Sequence, residues 1–262
     1  MLVDSHCHLN YEGLREDQAG VITRARAAGV GTMLGIATRE GEWAEVTALA
    51  EAYPDIWATV GIHPHEADAH PAVDAARLIA AAAHPKVIGI GETGLDYFYD
   101  HSDRDRQRAS FRAHIAAART TGLPLIVHTR DAEADTAAIL AEEMGQGYFT
   151  GVIHCFTASA AFAEQALALD FYISLSGILT FKNARDLQAT AATLPADRLL
   201  VETDAPFLAP VPMRGKVCEP AYVAHTAAFL AQLRGVTPDT LAEQTTDNFF
   251  RLFTQATRPT HA

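Results

Sequence analysis

The sequence predicts an α/β protein of the (β/α)8 TIM-barrel class, and three observations carry that prediction. Eight short β-rich runs alternate with longer helical segments, their starts running from residue 1 to residue 198 at an average step of about 28 residues. One strand, one helix and two short loops need roughly that length. Most of the runs are nearly continuously apolar, as in parallel strands covered on both faces. The length of 262 residues matches the ~250 typical of such barrels, so residues 1–262 are expected to form a single barrel domain. A doubly wound open sheet is the structural competitor, but no G-x-G-x-x-G follows the first run.

The strands are expected at Met1–Ser5, Thr32–Ala37, Ile56–Ile62, Val87–Gly91, Pro124–His128, Thr150–His154, Phe171–Ser174 and Arg198–Glu202. Between the first two, Gln18–Ala28 is rich in Ala, Val and Ile and is followed by Gly29 as a C-terminal cap. Ser102 or Asp103 caps a long helix that runs to Thr121 and stops at Gly122. Thr237-Pro238-Asp239 opens the last helix, with Thr as cap and Pro in the first turn. Phe249, Phe250, Leu252 and Phe253 read as a helix packed on the barrel. The tail Thr257–Ala262 is expected to fray.

Composition removes several classes of function. Hydrophobic residues make up 49% and charged residues 20%, which excludes a disordered chain. No run approaches the ~18 apolar residues of a membrane helix, and Met1–His8 lacks the basic and apolar regions of a signal peptide. Three cysteines cannot build a disulfide framework and point to a reducing cytoplasm. The formal net charge of −12 argues against wrapping long duplex DNA, but not against holding nucleic acid at one local site.

The chemistry gathers at the C-terminal ends of the strands, where a barrel builds its active site. Strand one ends in Asp4-Ser5-His6-Cys7-His8, strand three in His63-Pro64-His65, and strand four in Glu92-Thr93-Gly94-Leu95-Asp96. Strand five ends in His128, strand six in His154-Cys155-Phe156 and strand eight in Glu202-Thr203-Asp204. A single strand-end histidine is more often structural. His6 and His8, two residues apart, face the same way and suit a metal. The same alternation is expected to send Cys7 into the core and Cys155 away from His154. Six strands aiming His, Glu or Asp into one mouth would be costly without a cation to satisfy them. Four histidines and two carboxylates exceed what one tetrahedral zinc uses, so two divalent ions are expected, with a carboxylate such as Glu92 able to bridge them. Mixed imidazole and carboxylate donors suit zinc or manganese, and magnesium less obviously.

The segments S-H-C-H-L, G-I-H-P-H, I-G-E-T-G-L-D-Y, V-H-T-R, I-H-C-F-T, V-E-T-D-A-P, R-G-K and N-F-F-R-L-F, in this order from Met1 to about Phe253, together resemble the TatD family of metal-dependent deoxyribonucleases. The resemblance implies a barrel of the metal-dependent hydrolase superfamily. It implies that His6, His8, Glu92 and Asp204 ligate one metal and Glu92, His128 and His154 the second. It further implies that His63 touches the scissile phosphate, and that the activity trims DNA from a 3′ end. One departure is that Cys218 stands where the family segment R-G-K-x-N-E-P has Asn; this removes an amide that could have held a loop or a substrate group.

On this reading two metals acidify the attacking water, and Asp204 ligates one and accepts the proton. Arg214 and Lys216 after strand eight could clamp a phosphate. Arg130 and Lys182 are further candidates for the strand, and Tyr97, Phe98 and Tyr99 could stack a base. His65, Asp96 and Glu202 are expected to orient ligands or loop backbone. The expected partner is DNA, at single-stranded ends, for a monomer or weak oligomer. An amide or ester hydrolase of a small molecule is the alternative; many superfamily members of that kind carry a bridging lysine at strand four, where this chain has Glu92. A vestigial binding protein would have lost ligands, and none is missing.

Overall fold

The structure, a computed structural model, describes residues 1–259. Eight parallel strands form one sheet in chain order: β1 (Leu2–Cys7), β2 (Val30–Gly35), β3 (Ile56–Val60), β4 (Val87–Asp96), β5 (Leu125–Arg130), β6 (Gly151–Ile153), β7 (Tyr172–Leu175) and β8 (Leu199–Val201). Helices α1 (Gln18–Ala27), α2 (Trp43–Ala52), α3 (Ala75–Ala82), α4 (Arg104–Thr121), α5 (Glu133–Met144), α6 (Ala160–Ala168), α7 (Arg185–Thr193), α8 (Val223–Arg234) and α9 (Pro238–Leu252) alternate with them. The sheet closes where β1 meets the segment after β8. Cys7 bridges Ala205 in parallel, the His8 amide donates to Ala205 O at 2.8 Å, and the Asp204 amide donates to His6 O at 2.9 Å. The chain is therefore the (β/α)8 TIM barrel that the repeat predicts. No helix among the described residues is long and apolar enough to cross a membrane.

Capping follows the sequence signals. The Asp103 carboxylate accepts from the Asp105 and Arg106 amides at the start of α4, and Gly122 ends the helix in the left-handed region at φ 71°. Thr237 Oγ1 accepts from the Thr240 amide at 3.1 Å to open α9. Strand limits differ from expectation where polar residues interrupt an apolar run. β1 continues through His6 to Cys7, and β4 continues past Gly91 to Asp96. The extension of β4 depends on Gly94, whose φ is 136° and whose missing Cβ would lie 2.0 Å from His128 O; only glycine lets the two backbones approach so closely. β2 begins at Val30, paired with Leu2, two residues before the expected Thr32. Arg198 and Glu202 fall outside β8, and Thr150 and His154 outside β6. Residues 257–259 carry no helix or strand; the rest of the expected frayed tail lies outside the described residues.

An apolar cluster inside the barrel includes a residue from every strand. Val3, Leu34, Trp57, Ile88, Ile126, Val152, Tyr172 and Leu200 form one buried cluster, sealed by Phe249, Leu252 and Phe253 at the end of α9. The C-terminal aromatics thus plug the barrel. A larger cluster fills the space between strands and helices.

One buried histidine is purely structural. His114 on α4 accepts the Ile62 amide at Nε2 (2.9 Å) and donates from Nδ1 to Ser110 O (2.7 Å). Burial lowers its pKa from the usual 6.5 to about 4. The unfolded chain therefore takes up this proton first, so the neutral imidazole stabilises the fold above pH 6.5 and that stability is lost as pH falls towards 4. In chelator-treated protein, the unfolding free energy from urea titration is expected to fall between pH 8 and pH 5. About 2 kcal/mol of that fall should disappear in His114→Gln. An equal fall in both proteins would exclude this assignment.

Candidate metal centre

Seven residues from six strand ends converge at the mouth of the barrel. His6 lies in β1 and His8 just beyond it, Glu92 in β4, and His128 in β5. His63, His154 and Asp204 follow β3, β6 and β8. Glu92 stands at the centre, and its two oxygens gather different partners. Oε2 is 3.3 Å from His6 Nε2 and 3.9 Å from His8 Nε2. Asp204 Oδ1 completes this group, 3.6 Å from His6 Nε2 and 3.4 Å from His8 Nε2. The two imidazole nitrogens are 3.3 Å apart, so His6 and His8 share a face. Oε1 is 2.8 Å from His154 Nε2, 3.2 Å from His128 Nδ1 and 3.4 Å from His63 Nε2.

Outer hydrogen bonds fix the tautomers, and the tautomers decide which nitrogens can bind a cation. His154 Nδ1 donates to Glu202 Oε1 (3.2 Å) and His128 Nε2 to Asp96 Oδ2 (3.1 Å). Their other nitrogens therefore turn lone pairs towards Glu92 Oε1 and towards each other, at 3.4 Å. His8 Nδ1 donates to Ile36 O (3.3 Å), leaving its Nε2 lone pair facing the first group. Lone pairs and carboxylate oxygens crowding one point repel unless protons or a cation lie among them. A tetrahedral ion with bonds of about 2.1 Å sets its ligands about 3.4 Å apart; the first group spans 3.3–3.9 Å. The second group is tighter, at 2.8–3.4 Å, and its imidazole and carboxylate donors are of the kind that hold a divalent cation. His63 differs: its Nδ1 accepts the His65 amide at 3.1 Å, so Nε2 carries the proton. It faces the centre as a hydrogen-bond donor rather than as a ligand.

The charges follow this arrangement. Burial alone would raise the Glu92 carboxyl, but His154, His63, His6 and His128 hold it well below the usual range. Burial likewise opposes charge on Asp204, and His8, His6 and His154 outweigh it. Burial disfavours the His154 imidazolium, yet Glu92 and Glu202 raise its pKa well above the ordinary value, so a proton competes with a cation for its Nε2 lone pair. Asp96 and Glu202 make the contacts that the expected orienting roles require. Asp96 Oδ2 also takes His65 Nε2 (2.9 Å), and its Oδ1 accepts the Phe98 and Tyr99 amides. Glu202 Oε1 also accepts the Cys155 amide at 2.8 Å.

The centre opens into a cavity of about 650 Å³. Arg130 is the lysine-or-arginine side chain among its lining residues, with its guanidinium over the Phe98 and Tyr99 rings at 3.9 and 4.7 Å. Arg214, Lys216 and Lys182 are exposed and do not line it; the Arg214 guanidinium covers the Phe181 ring at 3.9 Å. Tyr97 donates its hydroxyl to Asp135 and lies under Arg104, away from the cavity. Cys7 is fully buried in the core. Cys155 departs from expectation: it lines the cavity beside His154, because β6 ends at Ile153 and Cys155 adopts φ 42°, so strand alternation no longer applies. Burial and the Asp204 carboxylate push its thiol pKa well up. Cys218 is buried and ties its amide to Pro206 O at 3.0 Å, holding the loop that carries Phe207 without lining the cavity itself.

Three contributors escape the motif reading. Tyr11 and Phe207 line the cavity; the only sequence signal is their nearness to His8 and Asp204. Asp4 lies beneath the centre, accepting the Thr203 and His6 amides at Oδ1 (2.9 and 3.3 Å) and contacting Thr203 Oγ1 at 2.5 Å. Its position two residues before His6 was the available signal. Burial pushes its carboxyl up to about 8.

Comparisons with known proteins agree with this geometry. The family model described as TatD related DNase matches residues 3–254. The chain is 46% identical over 256 residues to the metal-dependent hydrolase YcfH of Escherichia coli (strain K12), covering 96% of this chain and 95% of that one. It is 37% identical over 249 residues to the 3′-5′ ssDNA/RNA exonuclease TatD of Rahnella sp. (strain Y9602), covering 93% and 94%. Among solved structures, the TatD homologue YJJV from Escherichia coli K12 superposes with a TM-score of 0.90 at 31% identity, covering 97% and 98%.

If Asp96 and Glu202 orient ligand imidazoles, Asp96→Asn and Glu202→Gln should each weaken zinc affinity about 10–100-fold. Competition against a chromophoric chelator measures this, with circular dichroism verifying the fold. Wild-type affinity in a folded variant would remove that residue from the role.

Proposed function

Because the chain belongs to the TatD-related DNase family, we propose that it hydrolyses phosphodiester bonds of DNA as a 3′–5′ exodeoxyribonuclease acting on single-stranded ends. The observation that carries this reading is the pair of donor groups sharing Glu92, one oxygen to each, at the floor of an open cavity. The relative from Rahnella, named a 3′-5′ ssDNA/RNA exonuclease, supports the substrate class and polarity.

His6, His8, Glu92 and Asp204 would hold one cation, and Glu92, His128 and His154 the other. Such a pair supplies Lewis-acid polarisation of the diester and a lowered pKa for water, and zinc or manganese suits these donors. The side chains then divide the remaining work. Asp204 is held ionised by its histidine neighbours, and accepts the proton of the attacking water. His63 is kept neutral, because burial drives its pKa well below the ordinary value. Its Nε2–H donates to a non-bridging phosphate oxygen, where negative charge grows in the transition state. Arg130, braced on two aromatic rings, engages a neighbouring phosphate by bidentate hydrogen bonds. Arg214 and Lys216 serve the strand beyond the cavity.

The first test is single-stranded DNA labelled at either end, incubated with protein loaded with magnesium, manganese or zinc, beside Glu92→Gln. A ladder shortening from the 3′ end, absent in the variant, is the expected result. No cleavage by protein carrying about two metals would turn attention to small esters and amides. Asp204→Asn should lower kcat roughly 10²–10⁴-fold while at least one metal is retained; near-normal turnover would remove Asp204 as base. His63→Ala should lower kcat about 10²–10³-fold with metal content unchanged. Loss of metal in that variant would instead make His63 a ligand.

A further inference from the structure

The cavity has two unlike sides, and the apolar one is built for a flat ring. Phe207, following Asp204, is 50% exposed although wholly apolar. Its ring stands edge-on to Tyr11 (6.2 Å between centroids, 85° between planes) and to His8 (6.3 Å, 66°). Tyr11 in turn stacks on His8 at 4.6 Å and 24°. The two rings therefore form a corner that shares a wall with the metal centre. Ile178 and Leu208 continue the apolar lining.

This corner is rigid and spends no polar group on a ligand. Thr38 donates its hydroxyl to Glu42 at 2.9 Å. The Tyr11 hydroxyl must then be the donor in its 2.7 Å contact with Thr38, which pins the ring. The Phe207 amide donates to Asp204 O at 2.9 Å. Leu208 O lies where a Cβ on Gly177 would be 2.1 Å away, so the segment is clamped against the turn after β7. At the edge of the cavity, the exposed Phe207 ring and the half-buried Tyr11 ring, with Ile178 and Leu208 beside them, offer an apolar aromatic surface next to the metal centre. The opposite side carries Arg130 over Tyr99, a guanidinium that can take a backbone phosphate. Ring faces without hydrogen-bonding edges accept any base.

We propose that the Tyr11–Phe207 corner is a nucleobase subsite that seats the base next to the scissile phosphate by stacking, without selecting among bases. The proposal rests on the nuclease reading above and adds where the terminal nucleotide is held. The test compares metal-loaded wild type, Phe207→Ala, Phe207→Leu and Phe207→Tyr on two single-stranded oligonucleotides. One is unmodified, and the other carries base-free tetrahydrofuran residues at its two terminal positions on the cleaved end. Phe207→Ala and Phe207→Leu should lower kcat/KM about 10-fold on the unmodified strand, in line with loss of one stacking ring. On the base-free strand the loss should be less than about threefold, and Phe207→Tyr should restore stacking.

A second readout does not depend on turnover: a 2-aminopurine at the terminus of a phosphorothioate oligonucleotide should be quenched on binding wild type and not Phe207→Leu. Tyr148→Ala, an exposed aromatic outside the cavity, should match wild type in both assays. Equal loss on both strands, or retained quenching in Phe207→Leu, would overturn the subsite. Absence of DNA cleavage by the wild type would overturn the nuclease reading instead, and the quenching assay would still judge the corner.

Discussion

A single carboxylate, Glu92, sets the terms for the rest of the molecule. It is 3% exposed, and a charge taken that far from water is tolerated only where the surroundings replace hydration. Both of its oxygens are surrounded, Oε2 by the β1 histidines and Oε1 by His63, His128 and His154. His63 turns an N–H towards this carboxylate, but the lone pairs of neutral His6, His8, His128 and His154 would repel unless protons or a cation lay among them. The outer carboxylates make the arrangement definite. By taking the far N–H of His128 and His154, Asp96 and Glu202 turn both remaining nitrogens inward, so a cation is the natural counterpart.

The barrel's closure is bound up with the same centre. β8 does not pair with β1 along a full ladder; the seam is made by Asp204 to His6 and His8 to Ala205 hydrogen bonds, between residues that are themselves candidate ligands or their neighbours. Asp4 fastens the seam from below, taking one amide from each side. A buried carboxyl with pKa near 8 stays largely protonated at neutral pH, so this link adds little charge beneath Glu92. Fold closure and ligand geometry are thus one constraint, which explains why Asp204 sits at φ 58°: the turn that ends pairing also aims its carboxylate.

The barrel was legible in the sequence because its periodicity is coarse; a strand every ~28 residues survives errors of two residues at each boundary. The six candidate metal ligands were legible because strand ends collect at one face. What escaped depends on backbone detail that periodicity does not encode. Gly94 lets β4 run on past a polar stretch, which apolar patterning reads as the end of a strand. Cys155 enters the cavity through a left-handed residue that alternation cannot anticipate. Arg214 and Lys216 read as a clamp from charge and chain position, yet Arg214 lies over Phe181, outside the cavity lining. Tyr11 and Phe207 belong to no motif, and only the three-dimensional fold brings them to the cavity, Phe207 exposed and Tyr11 half-buried against His8.

On the proposed nuclease reading, the charge balance of the cavity explains how so acidic a chain would address nucleic acid. Glu66, Glu92, Asp96 and Asp204 line it against Arg130, so with neutral histidines the mouth itself repels a phosphodiester. Nucleic-acid binders usually offset phosphate charge with many Lys and Arg contacts, which makes them strongly salt-dependent. Here two divalent cations would reverse the sign of the mouth by themselves, at the one point where a phosphate must sit for hydrolysis. On that reading the cations and Arg130 put positive charge where the chemistry occurs. With a net charge of −12 the surface offers a long backbone few further contacts beyond Arg214 and Lys216, which favours a strand end over a duplex and gives the proposed stacking on uncharged rings a part in holding the rest of the nucleotide.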